Sequence, residues 1–297
     1  MTEDHQIVYF SYSLDPEVDV PGQEDIFRVD PGTGEIRRVT DDSTRLDFVS
    51  DRNPTWSPQR DRIAIHRTGG GQDQARLCVV DAATGDTTTT LAEGHSAIWL
   101  DDDRLLHLTA ERYGTVVVTR VSDGTRREVL VMPDGSDIAG MSWHPVGGLV
   151  LGFGDSTTPW WRIGRIRPEA LLAALDGEPA GADQMVLYGR VGASLAMPSW
   201  HPDGNLLCVS QFGPEGNPAQ SAIGVLDLAA GSYRTAPRPD DQLIDVFGCW
   251  SPDGTQIAYT RTEQDVWSEI WLYDPAAGTT RQLTDEDHKR AKGALDW

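Results

Sequence analysis

The chain has 297 residues, a formal net charge of −21 and three cysteines. A surface that acidic repels phosphate backbones and anionic headgroups, which excludes nucleic acid and membrane surface as expected partners. Cys78, Cys208 and Cys249 are scattered, each in an apolar run, so they make neither a disulfide framework nor a zinc site and are expected as buried free thiols.

Along the chain, Gln6–Ser11 alternates as a strand with no tryptophan before it, and 25–30 and 35–40 read as two further strands. A recurrent phrase follows. Asn53-Pro-Thr-Trp56-Ser-Pro precedes the strand Arg62–His66, and weaker copies surround Trp99 and Trp143. Between the third and fourth strands of the repeat after Trp143, 168–176 reads as a short helix, with Pro168 in its first turn and good helix formers after it. Full copies return at Met197-Pro-Ser-Trp200-His-Pro-Asp-Gly204 and Phe247-Gly-Cys-Trp250-Ser-Pro-Asp-Gly254, and the chain stops at Gly293-Ala-Leu-Asp-Trp297.

The tryptophans of adjacent copies from Trp56 to Trp250 are 43, 44, 57 and 50 residues apart, the period of a propeller blade. Each copy parses into four antiparallel strands. One ends at the tryptophan, a Pro-Asp-Gly type turn leads to the second, and the third ends at an Asp…Gly turn such as Asp274…Gly278. The C-terminal piece is a first strand without its followers, and the N-terminal piece is the followers without a first strand. The expectation is an all-β, six-bladed β-propeller, residues 1–297 as one domain, closed by pairing N- and C-terminal strands in one blade.

The phrase Trp-Ser-Pro-Asp-Gly-x-x-Ile-Ala-Tyr, with Leu283-Thr284 or Val39-Thr40 closing the preceding blade, resembles the TolB-like six-bladed propeller repeat over essentially the whole chain. That resemblance implies the fold and is nearly mute about function, because the shared residues are turn and packing residues. The family's namesake is periplasmic, has a separate N-terminal domain and binds protein partners. Here the acidic start Met1–His5 lacks the basic and apolar regions of a signal peptide, and no apolar run is long enough to span a bilayer. The chain is therefore expected to be a cytoplasmic bacterial monomer, and a Tol-type role is not expected to carry over.

Blade topology sorts the connections onto two faces. The Pro-Asp-Gly and Asp…Gly turns repeat on one; the long, variable loops gather on the other, where function usually resides. Aromatic residues Tyr113, Trp160, Trp161 and Trp267, with His66, His95, Asp245 and Arg261, are the expected ligand-binding set on that face. His144 and His201 replace serine in the repeated turn and belong to the other face, and His107 lies within a second strand. The position three before each tryptophan is Asn53, Ser96, Gly140, Met197, Phe247 and Ala294, which offers too few oxygen donors for a central calcium. No metal or cofactor is expected, and no phosphate loop or nucleophile elbow occurs in the sequence. Two functions remain open: a scaffold binding a protein, peptide or small ligand on the loop-rich face, or a lyase, hydrolase or cyclase acting on a small organic substrate in a central aromatic-lined pocket.

Overall fold

The structure is a computed structural model. It describes residues 5–297 apart from 14, 16, 18, 20, 42–47, 70–71, 110–113, 156–157, 190–192, 214–220, 239–242, 263–266 and 287–288. Blade 1 begins with β1 (Ile7–Tyr12), β2 (Glu24–Val29) and β3 (Ile36–Arg38). Blade 2 is β4 (Val49–Trp56), β5 (Arg62–Gly69), β6 (Gln72–Asp81) and β7 (Thr87–Glu93). Blade 3 is β8 (His95–Trp99), β9 (Arg104–Leu108), β10 (Thr115–Arg120) and β11 (Arg126–Val131). Blade 4 holds β12 (Asp137–His144), β13 (Gly148–Asp155) and β14 (Thr158–Ile166), then an insertion of α1 (Pro168–Ala174) and β15 (Ala180–Gly181), then its outer strand β16 (Val186–Tyr188). Blade 5 is β17 (Ser194–Trp200), β18 (Leu206–Phe212), β19 (Ala222–Asp227) and β20 (Ser232–Thr235). Blade 6 is β21 (Ile244–Trp250), β22 (Ile257–Thr262), β23 (Ser268–Asp274) and β24 (Thr279–Gln282). The last strand, β25 (Ala291–Asp296), pairs antiparallel with β1, with Ser11 opposite Lys292 and Val8 opposite Asp296.

The six sheets stack in a ring because each blade is apolar on both faces. Alternate residues of β1 serve different neighbours: Ile7 and Tyr9 pack with Cys249, Ala258 and Ile270 of blade 6, whereas Val8 packs with Trp56, Ile63 and Cys78 of blade 2. Equivalent apolar clusters lie between blades 2 and 3, 3 and 4, 4 and 5, and 5 and 6. The three cysteines are free and buried in these seams.

The repeated residues stitch the seams. The indole N–H of Trp56 donates to Gln6 O of blade 1 at 3.1 Å, that of Trp99 to Thr55 O of blade 2 at 3.2 Å, and that of Trp200 to Gly148 O of blade 4 at 2.9 Å. The residue before a tryptophan accepts from the next tryptophan's backbone N–H: Ser142 from Trp200, Ser199 from Trp250, and Asp296 from Trp56. The threonines of the Leu-Thr and Val-Thr pairs act within a blade, Thr284 Oγ1 accepting from Ile270 N and Thr40 Oγ1 from Ile26 N. Asp30, Asp81, Asp227 and Asp274 each accept two backbone N–H groups of their own turn.

Every innermost strand carries the same bulge, three residues before its tryptophan. Asn53, Ser96, Met197, Phe247 and Ala294 all have left-handed backbone, φ between 45° and 58°, and Gly140 occupies the sixth place at φ 88°. An extra residue on one strand sharpens the twist that the strand nearest the axis requires, and glycine ordinarily takes this conformation. Only Gly140 lacks a Cβ here, and one added to it would stand 2.8 Å from Met197 Cα. The left-handed form costs a side-chain-bearing residue roughly 1–2 kcal/mol, while glycine gives back ~0.5–1 kcal/mol through its freer unfolded chain. Ala294→Gly is therefore expected to stabilise the protein by about 0.5–1 kcal/mol in urea unfolding, because alanine has almost no packing to lose.

Candidate functional site

The variable loops leave the ring where the innermost strands begin, and the ends of those strands form a polar rim. In blade 2, Asp51 on β4 faces Arg67 on β5; the guanidinium donates from Nε at 2.6 Å and from Nη2 at 2.7 Å. In blade 6, Asp245 on β21 and Arg261 on β22 repeat this arrangement at 2.8 and 2.9 Å. Both pairs are 16 residues apart, and each aspartate stands five residues before its blade's tryptophan. Asp245 and Arg261 are 0% and 1% exposed, and Arg261 Cζ lies 4.5 Å from the centre of the Trp271 ring. Their charges are thus spent on each other beneath the face rather than offered upon it.

Blade 1 places a lysine at the equivalent position. Lys292 is fully buried and bridges Glu269 at 2.9 Å and Glu286 at 3.0 Å while donating to Ser268 O. The network continues across the seam between blades 6 and 1. Arg290 binds Asp19 at 3.0 Å, Asp19 also meets Arg38, and Arg38 binds the buried Asp25. Glu24 then accepts from Ser50 and Arg52 of blade 2. Arg38 and Arg290 both lie over the Phe27 ring, at 5.7 and 4.9 Å from its centre. Such pairing keeps buried charges affordable and holds the loop bases in one arrangement.

His66 on β5 and His95 on β8 come together across the seam of blades 2 and 3, with ring centroids 6.2 Å apart. Burial pushes the His66 pKa down to about 4, with smaller contributions from His95 and Arg52. Burial lowers His95 as well, and Asp137 opposes that shift. His107 is buried; its Nε2 is 2.8 Å from Thr119 Oγ1, its Nδ1 3.2 Å from Leu108 O, and desolvation takes its pKa to about 4. These imidazoles are neutral at physiological pH, the form that donates or accepts a hydrogen bond without adding charge. Among the described residues no group of three or more His, Cys, Asp or Glu is arranged to hold a metal.

Of the aromatic residues, Trp160 and Trp161 sit on blade 4 and Trp267 on blade 6. Trp161 on β14 is half-buried, its backbone N–H donates to Ser194 Oγ of blade 5 at 3.1 Å, and its indole covers Gly154, where a Cβ would stand 3.1 Å away. Trp160 and Trp267 are half-buried too, Trp267 just ahead of β23. Tyr113 lies outside the described residues. The structure thus joins His66 to His95 across blades 2 and 3 and Asp245 to Arg261 in blade 6, where Trp267 also lies, and leaves Trp160 and Trp161 on blade 4. Asp51, Asp25, Glu269 and Lys292 were missed as individual residues by the sequence reading. The shared position five residues before the tryptophan was a signal for Asp51 and Lys292, as for Asp245, whereas Asp25 and Glu269 stand on β2 and β23 without one.

Six antiparallel sheets in a ring, with repetitive turns at one end and long loops at the other, define a six-bladed β-propeller. No protein-family model matches the chain. The Tol-Pal system protein TolB of Anaeromyxobacter dehalogenans (strain 2CP-C) is 31% identical over 126 residues, 42% of this chain and 26% of that protein. The crystal structure of TolB from Acinetobacter baumannii superposes with a TM-score of 0.70 at 14% identity, covering 99% of this chain and 66% of that one. An oligogalacturonate lyase in complex with manganese superposes at 0.57 with 14% identity, covering 96% and 74%. Likeness at 14% identity is one of fold, and the sequence match spans about a quarter of its curated relative. The chain thus has the fold of the TolB propeller. The expectation of a cytoplasmic protein is overturned by this match, because the TolB relatives are periplasmic proteins of the Tol-Pal system. That expectation rested on the composition of the first few residues, which carries no information about the compartment of the relatives.

Proposed function

We propose that this propeller is a binding scaffold that holds a protein or peptide on its loop-rich face. The observation that carries this reading is the ion-paired rim: Asp245 with Arg261, Asp51 with Arg67, and Lys292 with Glu269 and Glu286. Side chains neutralising one another in buried pairs are poor acids, bases or nucleophiles, but they make a rigid base for variable loops. The likeness to TolB, a protein of the Tol-Pal system, supports the same reading. The half-buried Trp161 and Trp267 supply the aromatic anchors that protein interfaces favour.

The test is affinity capture of partners from extracts of the native organism by wild type and variants. Removing an aromatic anchor typically costs about 2 kcal/mol or more. Trp161→Ala or Trp267→Ala is expected to weaken recovery of the captured partner by at least ~10-fold with little change in melting temperature. Asp203→Ala, on the exposed turn of the opposite face, should leave capture intact. Loss of capture in Asp203→Ala, with both tryptophan variants unaffected, would place binding on the other face.

A further inference from the structure

In blades 2 to 6 a short turn joins the first strand to the second. In blade 1 these strands, β25 and β1, come from opposite ends of the sequence and no hairpin turn joins them. The turn of blade 2 stands beside that break and holds both pieces. Trp56 N and Thr55 Oγ1 donate to Asp296 Oδ2 on β25 at 2.7 and 3.0 Å. The Trp56 indole N–H and Arg60 Nη2 donate to Gln6 O, just ahead of β1, at 3.1 and 2.5 Å. Arg60 Cζ lies 4.7 Å from the centre of the Trp56 ring, so the two donors to Gln6 brace each other.

Two residues of this seam depart from the repeat. Four residues after the tryptophan, blades 5 and 6 have Gly204 and Gly254 at φ 69° and 71°, whereas blade 2 has Arg60 at φ 60°. The turn is otherwise the same, with Arg60 N donating to Ser57 O as Gly204 N does to His201 O and Gly254 N to Ser251 O. A residue with a side chain is strained in this conformation and persists where its surroundings require it. What Arg60 adds over glycine is the bond to Gln6. One residue before the tryptophan, blades 4 and 5 have Ser142 and Ser199, which accept from the next tryptophan's N–H at 3.2 and 3.4 Å. Asp296 accepts at 2.7 Å, the shorter and stronger bond of a carboxylate. Burial raises the pKa of Asp296, and the Trp56 N–H, Arg60 and Thr55 oppose the rise.

We propose that the Thr55–Arg60 turn is a splint across the break in blade 1, and that it makes β25 a latch on the polar rim of the loop-rich face. One strand carries both functions. Asp296 at its end is gripped by blade 2, and Lys292 nearer its start holds Glu269 and Glu286 of the rim. With Asp296 held, Lys292 stays in register opposite Ser11. With the grip removed, β25 opens ahead of the other strands while the remaining blades stay folded, and the rim loses its lysine. This device follows from the ring and its ion pairs, and its test is independent of what binds on the loop-rich face.

The experiment is hydrogen–deuterium exchange of the full chain at neutral pH, followed by NMR. Asp296→Ala should speed exchange along β25 and β1 at least ~10-fold, while β10, β13 and β18 change by less than about twofold. The Ser268 amide, which donates to Arg290 O just ahead of β25, should exchange faster together with β25. Arg60→Gly gives blade 2 the residue of blades 5 and 6, and it should speed β25 and β1 likewise although it relieves strain. Asp296→Ser, the residue of blades 4 and 5, keeps an acceptor and should show the same pattern at smaller amplitude, which supplies the comparison should the alanine variant not fold. Exchange along β1 and β25 as slow in Arg60→Gly as in wild type would reduce Arg60 to a turn residue and overturn the splint. Equal acceleration in all six blades by the Asp296 variants would overturn the latch, since the ring would then open as one unit. An opened β25 with Ser268 unchanged would overturn its hold on the rim.

Discussion

Arg261→Ala should lower folding stability by about 3–5 kcal/mol, the range for stripping one partner from a buried ion pair. The physical cause is what stays behind. Asp245 is 0% exposed and both its carboxylate oxygens accept from Arg261. Without the guanidinium it must remain charged in a low-dielectric seam or take up a proton, and either outcome costs free energy. The truncation also strips the planar group from the faces of Trp271 and Tyr259. Asp245→Leu combined with Arg261→Met should recover most of the loss, because no charge is then stranded. Urea unfolding of the three variants at neutral pH and constant ionic strength checks this. A loss below about 1 kcal/mol for Arg261→Ala would mean that the pair is solvated like a surface bridge. Arg67→Ala in the matching pair of blade 2 should cost less, since the Arg67 side chain is 19% exposed against 1% for Arg261.

Acidification should destabilise the protein between pH 6.5 and about 4, and two histidines should carry an identifiable part of the effect. The pKa values of His66 and His107 are depressed from 6.5 to about 4 by burial. In that window the unfolded chain binds protons at these imidazoles and the folded chain does not, so each proton taken up pulls toward unfolding. Their contribution is fully present above pH 6.5 and is lost as pH falls through the folded value near 4. A pKa unit corresponds to about 1.4 kcal/mol, and with partial hydration of the rings each histidine should contribute roughly 2 kcal/mol of the difference between neutral pH and pH 4. His66→Gln and His107→Gln should each flatten the curve of stability against pH, and the double variant more so. Parallel curves for wild type and double variant would show that both rings protonate in the folded protein without penalty. The hydrogen bonds of His107 with Leu108 O and Thr119 Oγ1 make it the more stringent of the two, since they suit a neutral ring protonated on Nδ1.

The tryptophan repeat carried the architecture because its residues act locally and identically in several blades. An indole N–H that reaches the preceding blade, and a residue before it that accepts from the next, need the same neighbours each time, so one phrase recurs. The Leu-Thr signature recurs for a similar reason, with Thr284 and Thr40 bonding inside their own blades. The short helix was legible from Pro168 and the helix formers after it. The strand that follows it was not, because Ala180-Gly181 has no strand signature of its own and exists by pairing with β11 of another blade.

The candidate site divides along the same line. Residue types on the variable loops, and the alternation that sends neighbouring side chains to opposite sides of a strand, are properties of the local chain, and from them His66, His95, Asp245 and Arg261 were assigned to one end of the molecule. Whether a charged side chain there faces solvent or the next blade depends on what the adjoining sheet presents. Asp245 and Arg261 close on each other, Lys292 finds Glu269 from across a seam, and His66 finds His95 on the next blade. The last two contacts join strands that meet only after the sheets have formed and stacked, whereas Asp245 and Arg261 are cross-strand partners within blade 6. The sequence alone therefore determined the repeat, the blade number and the end of the ring where loops vary, since turn chemistry and strand period are short-range. The tertiary structure decided which side chains meet across the seams, as Lys292 meets Glu269 and His66 meets His95, and which outer strand is covered by a segment of the next blade, since these depend on groups brought together by the ring.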